Sequence, residues 1–169
     1  DNVTNQNEDY PDPQGGGGSG SSTIDFDTLW KNYPVGLDAG AVYKLIGGKV
    51  YNLYLTNPTG YANACALRLS RSFNYGGIPL SKSTTGYKET GSDSKYYLFR
   101  VKDMINYVKL KLGRPTAIKK PTQLDYTSYF VGKRGVLIFK VTGWGDATGH
   151  VTLWDGSGCG DHCYFSHTD

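Results

Sequence analysis

What this chain lacks narrows it quickly. No stretch approaches the roughly 18 to 20 consecutive apolar residues that a membrane span needs, which excludes a transmembrane helix. Residues 1–27 contain no lysine or arginine and hold six of the fifteen acidic residues, so residues 28–169 carry eighteen bases against nine acids. That surplus draws the body of the chain to polyanions: nucleic acid, an acidic membrane or an anionic cell wall. No recognised nucleic-acid motif accompanies the charge, so nucleic acid is the weakest of the three. Cysteines number three, an odd count. The simplest accounting is one short disulfide, Cys159 to Cys163 in "CGDHC", plus a free thiol at Cys65, which suits an extracellular or periplasmic working place. With only three histidines, His150, His162 and His167, the choice of a general base is also short.

The 169 residues suffice for one domain with its own core and are too few for two comfortable ones. Residues 1–22, acidic and then rich in glycine and serine, offer nothing to bury against the cost of ordering them. They read as a flexible tail or linker ahead of a single domain over residues 23–169. "FDTLWKNYP" has helical spacing and stops at Pro34. In "AVYKLIGGKVYNLYL" the Gly47-Gly48 pair is expected to break a helix and lead into an irregular or extended approach. Ala62, Cys65, Ala66, Leu69 and Phe73 then recur at helical intervals, with Asn63 as a candidate N-cap and Gly76-Gly77 as the stop. Residues 78–94 read as a polar loop, and "YYLFRVKDMINYVKLKLG" as a helix whose inner face is Leu98, Val101, Ile105, Val108 and Leu112. After Gly135 the period becomes extended: "GVLIFKVTGW", "GHVTLWDG" and "CYFSH" read as successive strands. Helices first and sheet second is the order of an α+β fold.

Cys65 falls at the start of its helix, where aligned peptide dipoles and unpaired backbone amides favour an anion. A thiol that is to attack a carbonyl must become one, and the same amides can hold the oxyanion of a tetrahedral intermediate. Taken alone, Cys65 reads as an ordinary buried apolar residue beside Leu69 and Phe73. The chemical reading needs a base, and His150 is favoured because it begins a strand after the turn "GWGDATG". Asp161 is the first choice to orient that imidazole, with Asp155 and Asp146 as rivals. Zinc held by Cys159, Cys163, His162 and His150 is a competing constellation. It is a weak one, because structural zinc sites use two separated knuckles. The thiol reading calls for no cofactor.

Together, "NACALRLS", "GWGDATGHVTLWDG" and "CGDHCYF" resemble the type VI secretion amidase effector family four, with "LWKNYP" and "LIGGKV" as further echoes upstream. The likeness spans roughly residues 24 to 169, with three separated motifs in the right order. It implies a papain-like, NlpC-related α+β fold, with helices packed on an antiparallel sheet. It further implies a Cys65–His150–Asp161 triad, and hydrolysis of the bond between γ-D-glutamate and meso-diaminopimelate in bacterial peptidoglycan. Asn63, Tyr61 and Trp144 are the candidate substrate contacts. A transferred effector of this kind implies a cognate immunity protein as partner, and action at the bacterial cell wall or periplasm. Two rivals remain at this point: a cysteine acyltransferase of the same fold, and a non-catalytic module that binds cell wall or polyanion.

Overall fold

The computed structural model describes residues 2–3, 24–115, 129–140 and 149–165. Three short helices open the domain. Helix α1, Phe26–Lys31, is capped by Asp25, whose carboxylate accepts from the Asp27 amide at 3.1 Å and the Thr28 hydroxyl at 2.8 Å. Helix α2, Ala39–Ile46, starts on Asp38, which accepts from the Ala41 amide at 2.8 Å. The Gly47-Gly48 pair ends α2 but does not lead into extended chain, because helix resumes at once as α3, Gly48–Thr56. Both glycines have positive φ, +68° and +60°, which turns the chain within two residues and lets Val50 stay in the core. A side chain at Gly48 would also collide with the Gly91 backbone, at 2.5 Å from its carbonyl carbon.

Helix α4, Cys65–Tyr75, is the centre of the domain. It buries Cys65, Ala66, Leu69 and Phe73 as the spacing predicts, but Ala62 lies before the helix and is exposed. Its buried polar residues grip the next segment: Ser70 accepts from the Leu98 amide at 3.0 Å, and Asn74 donates to the Tyr96 carbonyl at 2.8 Å. That segment is a two-stranded antiparallel ribbon, β2, Lys88–Thr90, and β3, Tyr96–Leu98. Residues 78–87 are loop as expected, and the ribbon replaces the rest of the expected loop and the first turn of the expected helix. Strands of three residues are too short for alternation to stand out from the helical period that follows. Helix α5, Val101–Leu112, then buries Val101, Ile105 and Val108 as anticipated and Met104 besides, whereas Leu112 is only partly buried and Leu98 is buried from β3 instead.

The larger sheet pairs β4, Gly135–Lys140, with β5, Gly149–Trp154, in register Phe139 to His150, and Asn2–Val3 (β1) adds along β4. Period-two alternation divides this sheet between two cores. Val136, Ile138, Val151 and Leu153 face α4 and α5, whereas Leu137, Phe139 and Trp154 face the disulfide loop with Tyr164 and Phe165. Over its described part "CYFSH" is not a strand. Among the described residues after β5 a single bridge, Trp154 to Cys159, is the pairing present, and the Cys159–Cys163 disulfide closes the loop that follows it. Helices followed by antiparallel sheet make the fold α+β, as expected, and no described helix is long and apolar enough to cross a membrane.

Candidate active site

Cys65 is the first residue of α4 and is 3% exposed. Ala64, not Asn63, holds the N-cap position and has no side chain to offer. Asn63 instead curls over the helix start, its Oδ1 accepting the Cys65 amide at 3.1 Å. The amide expected to face an oxyanion therefore has an internal acceptor, which a substrate oxygen would have to displace.

His150 is the second residue of β5 and is 5% exposed. No side chain fits at the preceding position, since a Cβ on Gly149 would run into the Phe139 carbonyl. Tyr164 packs edge-on to the imidazole at 4.7 Å, and Nε2 meets both Asp161 oxygens at 3.0 and 3.1 Å. With Nε2 held, Nδ1 is the nitrogen left for the Cys65 thiol, the other hydrogen-bond partner of the ring. Burial opposes charge on this imidazole. The hydrogen bonds to Asp161 and Cys65 and the negative charge near it prevail, and its pKa is pushed up to about 9. Burial likewise works against the Asp161 carboxylate, yet His150, the Thr152 hydroxyl and the His162 amide hold its pKa below the usual value.

Asp161 stands in the loop that follows β5. Cys159 and Cys163, two positions to either side, fix the loop through a disulfide with Cα atoms 5.5 Å apart. The Gly160 amide ties it to β5 by donating to the Leu153 carbonyl at 2.8 Å. Both cysteines being consumed in that bond, they are not thiolate ligands, and no metal-binding cluster occurs among the described residues. The rival Asp155 instead accepts from the Ser157 and Gly158 amides of its own turn. Asp146, His167 and the candidate contact Trp144 lie outside the described residues. His162 is exposed at the cleft rim, stacked edge-on to Tyr164 at 4.6 Å. Tyr61 packs edge-on to Tyr43 and Phe99 in the core beneath α2 and α3, while its neighbours Ala62 and Asn63 line the cleft.

Two residues that the sequence reading passed over continue the chain of contacts behind Asp161. Thr152, fully buried, has its hydroxyl 3.3 Å from the Tyr33 hydroxyl and 3.4 Å from the Leu153 carbonyl, and lies close enough to Asp161 to help hold that carboxylate ionised. Burial and the Asp161 charge keep the Tyr33 phenol protonated far above its normal range. Thr152 had a signal available, since it shares the His150 face of β5 at i+2; Tyr33, 119 positions away, had none. Thr152→Val is expected to lower amide hydrolysis about 10-fold and to shift its pH profile, with Thr152→Ser restoring most of both. Unchanged activity and profile in the valine variant would show that the hydroxyl does not position Asp161.

Cys65, His150 and Asp161 line one cleft of about 630 Å³, open to solvent. Fold and cleft thus define an α+β protein with a buried thiol–imidazole–carboxylate relay at a solvent-accessible site. A sequence model described as type VI secretion system (T6SS), amidase effector protein 4 matches residues 61–168. Among solved structures, the Salmonella typhimurium effector Tae4, in complex with the immunity protein Tai4 from Enterobacter cloacae, is 35% identical. The match covers 86% of this chain and 89% of that chain, with a TM-score of 0.76. Enterobacter cloacae Tae4 in its effector–immunity complex with Tai4 is 40% identical, covering 84% of this chain and 86% of that chain at a TM-score of 0.75. A further structure of Enterobacter cloacae Tae4 is 41% identical over 84% and 87% of the two chains, at a TM-score of 0.73. No curated protein matches the chain. The chain belongs to the type VI secretion amidase effector 4 family, and it is an enzyme, an amidase effector rather than a passive binding module.

Proposed function

We propose that this amidase effector hydrolyses the γ-D-glutamyl–meso-diaminopimelate bond of peptidoglycan stem peptides, with Cys65 as nucleophile, His150 as acid–base and Asp161 as orienting carboxylate. The observation that carries this reading is the continuous relay from Asp161 through His150 to a helix-start thiol on an open cleft. In the first step the Cys65 proton resides on His150, and the sulfur attacks the γ-carbonyl carbon. The oxyanion displaces Asn63 Oδ1 from the Cys65 amide. Collapse breaks the C–N bond as imidazolium delivers its proton to the diaminopimelate amine, leaving a thioester. Water then gives its proton to His150 and its oxygen to the acyl carbon, which frees D-glutamate's γ-carboxylate and regenerates the thiol. Asp161 holds Nε2 throughout, so that Nδ1 stays aimed at sulfur.

Peptidoglycan as target suits the surplus of bases over residues 28–169. As a type VI effector the protein is delivered out of the producing cell and acts at the wall of the recipient, in the periplasm. The effectors of Salmonella typhimurium and Enterobacter cloacae are held by Tai4 immunity proteins, and a matching immunity protein is the partner proposed here.

The test is mass spectrometry of diaminopimelate-type muropeptides digested in ¹⁸O-water. Fragments ending at D-glutamate with one labelled oxygen are expected. Unlabelled acyl–amine products would favour the acyltransferase instead, and intact muropeptides would remove the wall-peptidase reading.

A further inference from the structure

Among the described residues that line the cleft, one permanently cationic group is left unused by the chemistry above. Arg68 lies one helical turn beyond Cys65 on α4 and lines the cleft together with Cys65, His150 and Asp161. Its Nη1 donates to two backbone carbonyls, Leu37 at 2.7 Å and Pro34 at 3.3 Å. These acceptors are neutral, so they orient the guanidinium without balancing its charge. Among the described residues no carboxylate pairs with it, for Asp161 is engaged with His150, Thr152 and the His162 amide. A guanidinium carries five N–H donors in a planar fork. With Nη1 spent on the loop, the Nε–Nη2 edge keeps the geometry that grips a carboxylate through two parallel hydrogen bonds.

Direction and spacing agree. A long side chain on a helix covers the turn N-terminal to its own Cα, which here is the turn that begins with Cys65. Residues at i and i+3 are about 5–6 Å apart at Cβ. In a γ-linked glutamate the α-carboxylate remains free, four bonds from the carbonyl carbon under attack, or roughly 5 Å when extended. A substrate carbonyl seated on the Cys65 sulfur therefore brings its α-carboxylate within reach of Arg68.

Building on the hydrolase reading above, we propose that Arg68 is a specificity-determining residue that binds the free α-carboxylate of the γ-linked D-glutamate on the acyl side of the scissile bond. It explains why a cationic side chain is fixed beside the thiol by carbonyls rather than by an acid. An α-linked glutamate, or one with its α-carboxylate amidated, forfeits the contact.

The experiment compares kcat/KM for diaminopimelate-type muropeptides that carry the free α-carboxylate with that for the same muropeptides amidated at that position, using the full chain and Arg68→Gln. The intact protein is expected to prefer the free acid by about 10- to 100-fold, the scale of a charge-assisted pair. In Arg68→Gln that ratio collapses toward one, chiefly through loss on the free acid, and Arg68→Lys restores part of it. Because both substrates meet the same preparation, the ratio is independent of how much of the variant folds. Equal rates on the two substrates with the intact protein, or a ratio that survives Arg68→Gln, would overturn the assignment while leaving the hydrolase reading intact. Cleavage of neither substrate would overturn both.

Discussion

Cys65→Ala is expected to abolish release of D-glutamate-terminated fragments from muropeptides, by at least about 10⁴-fold in kcat, while leaving the fold intact. Removal of the nucleophile from a unit that works as one group forfeits nearly all of the covalent catalysis. The folded state should tolerate the change, because Cys65 packs as a small buried residue among Ala66, Leu69 and Phe73 and alanine retains most of that volume. Circular dichroism and urea unfolding would verify the intact fold, and product analysis would measure the loss. A variant that keeps even a tenth of the activity would remove Cys65 from the role of nucleophile. The intact protein should also lose activity to a thiol alkylating reagent, more slowly when muropeptide fills the cleft. Cys159 and Cys163, joined to each other, offer no competing thiol.

The second large effect belongs to Asp161→Asn. An amide in place of the carboxylate can still accept from Nε2–H, but it brings no charge to stabilise imidazolium and can also turn its NH₂ toward the ring, so kcat should fall about 10²- to 10⁴-fold. The same substitution should flatten the dependence of stability on pH. The His150 pKa is raised in the fold, from an ordinary value of 6.5 to about 9. Its contribution to stability is therefore fully present below about pH 6.5 and is lost as pH rises toward 9, by up to about 3 kcal/mol. The lowered Asp161 pKa acts in the opposite sense: its contribution is present above the ordinary carboxylate range and is lost as pH falls through the depressed value. Both are whole only between about pH 4 and 6.5. Urea midpoints at pH 6 and pH 9 should differ clearly for the intact protein and much less for Asp161→Asn. Equal differences in the two would mean that the carboxylate does not hold the imidazolium.

The relay is unusually well backed for so small a domain. Asp161 is pinned from the sequence side by the disulfide and the Gly160–Leu153 hydrogen bond, and from the core side by Thr152 and Tyr33. A Cβ on Gly160 would strike the Tyr33 ring at 2.6 Å, so glycine at that position lets the phenol lie against the loop. Groups held on all sides lose little freedom when a substrate arrives, which is how a modest fold presents a pre-organised site.

Local chemistry was legible in the sequence wherever one residue acts on its near neighbours. The inner faces of α4 and α5 followed from spacing alone, because burial of one helical stripe obeys a period that a linear pattern displays. Cys65 at a helix start, His150 at a strand start and Asp161 between paired cysteines could be picked out for the same reason, each being marked by what stands within a few residues of it. The structure then brought those three together in one cleft.

What only the tertiary structure decided depends on partners distant in the chain. That Gly47-Gly48 leads straight on into helix, and not into irregular or extended chain, brings Gly48 against the Gly91 backbone, a contact remote in the sequence. The ribbon β2–β3 exists because Ser70 and Asn74 of α4 satisfy its edge. Asn63 settles one residue earlier than a capping preference suggests, with its oxygen on the Cys65 amide. Arg68 reads in sequence as one more surface cation, and only the carbonyls of Pro34 and Leu37 show that it is fixed beside the thiol. Spacing along a chain records short-range periodicity, whereas hydrogen-bond satisfaction and charge pairing in a core are set by residues that no linear pattern brings side by side.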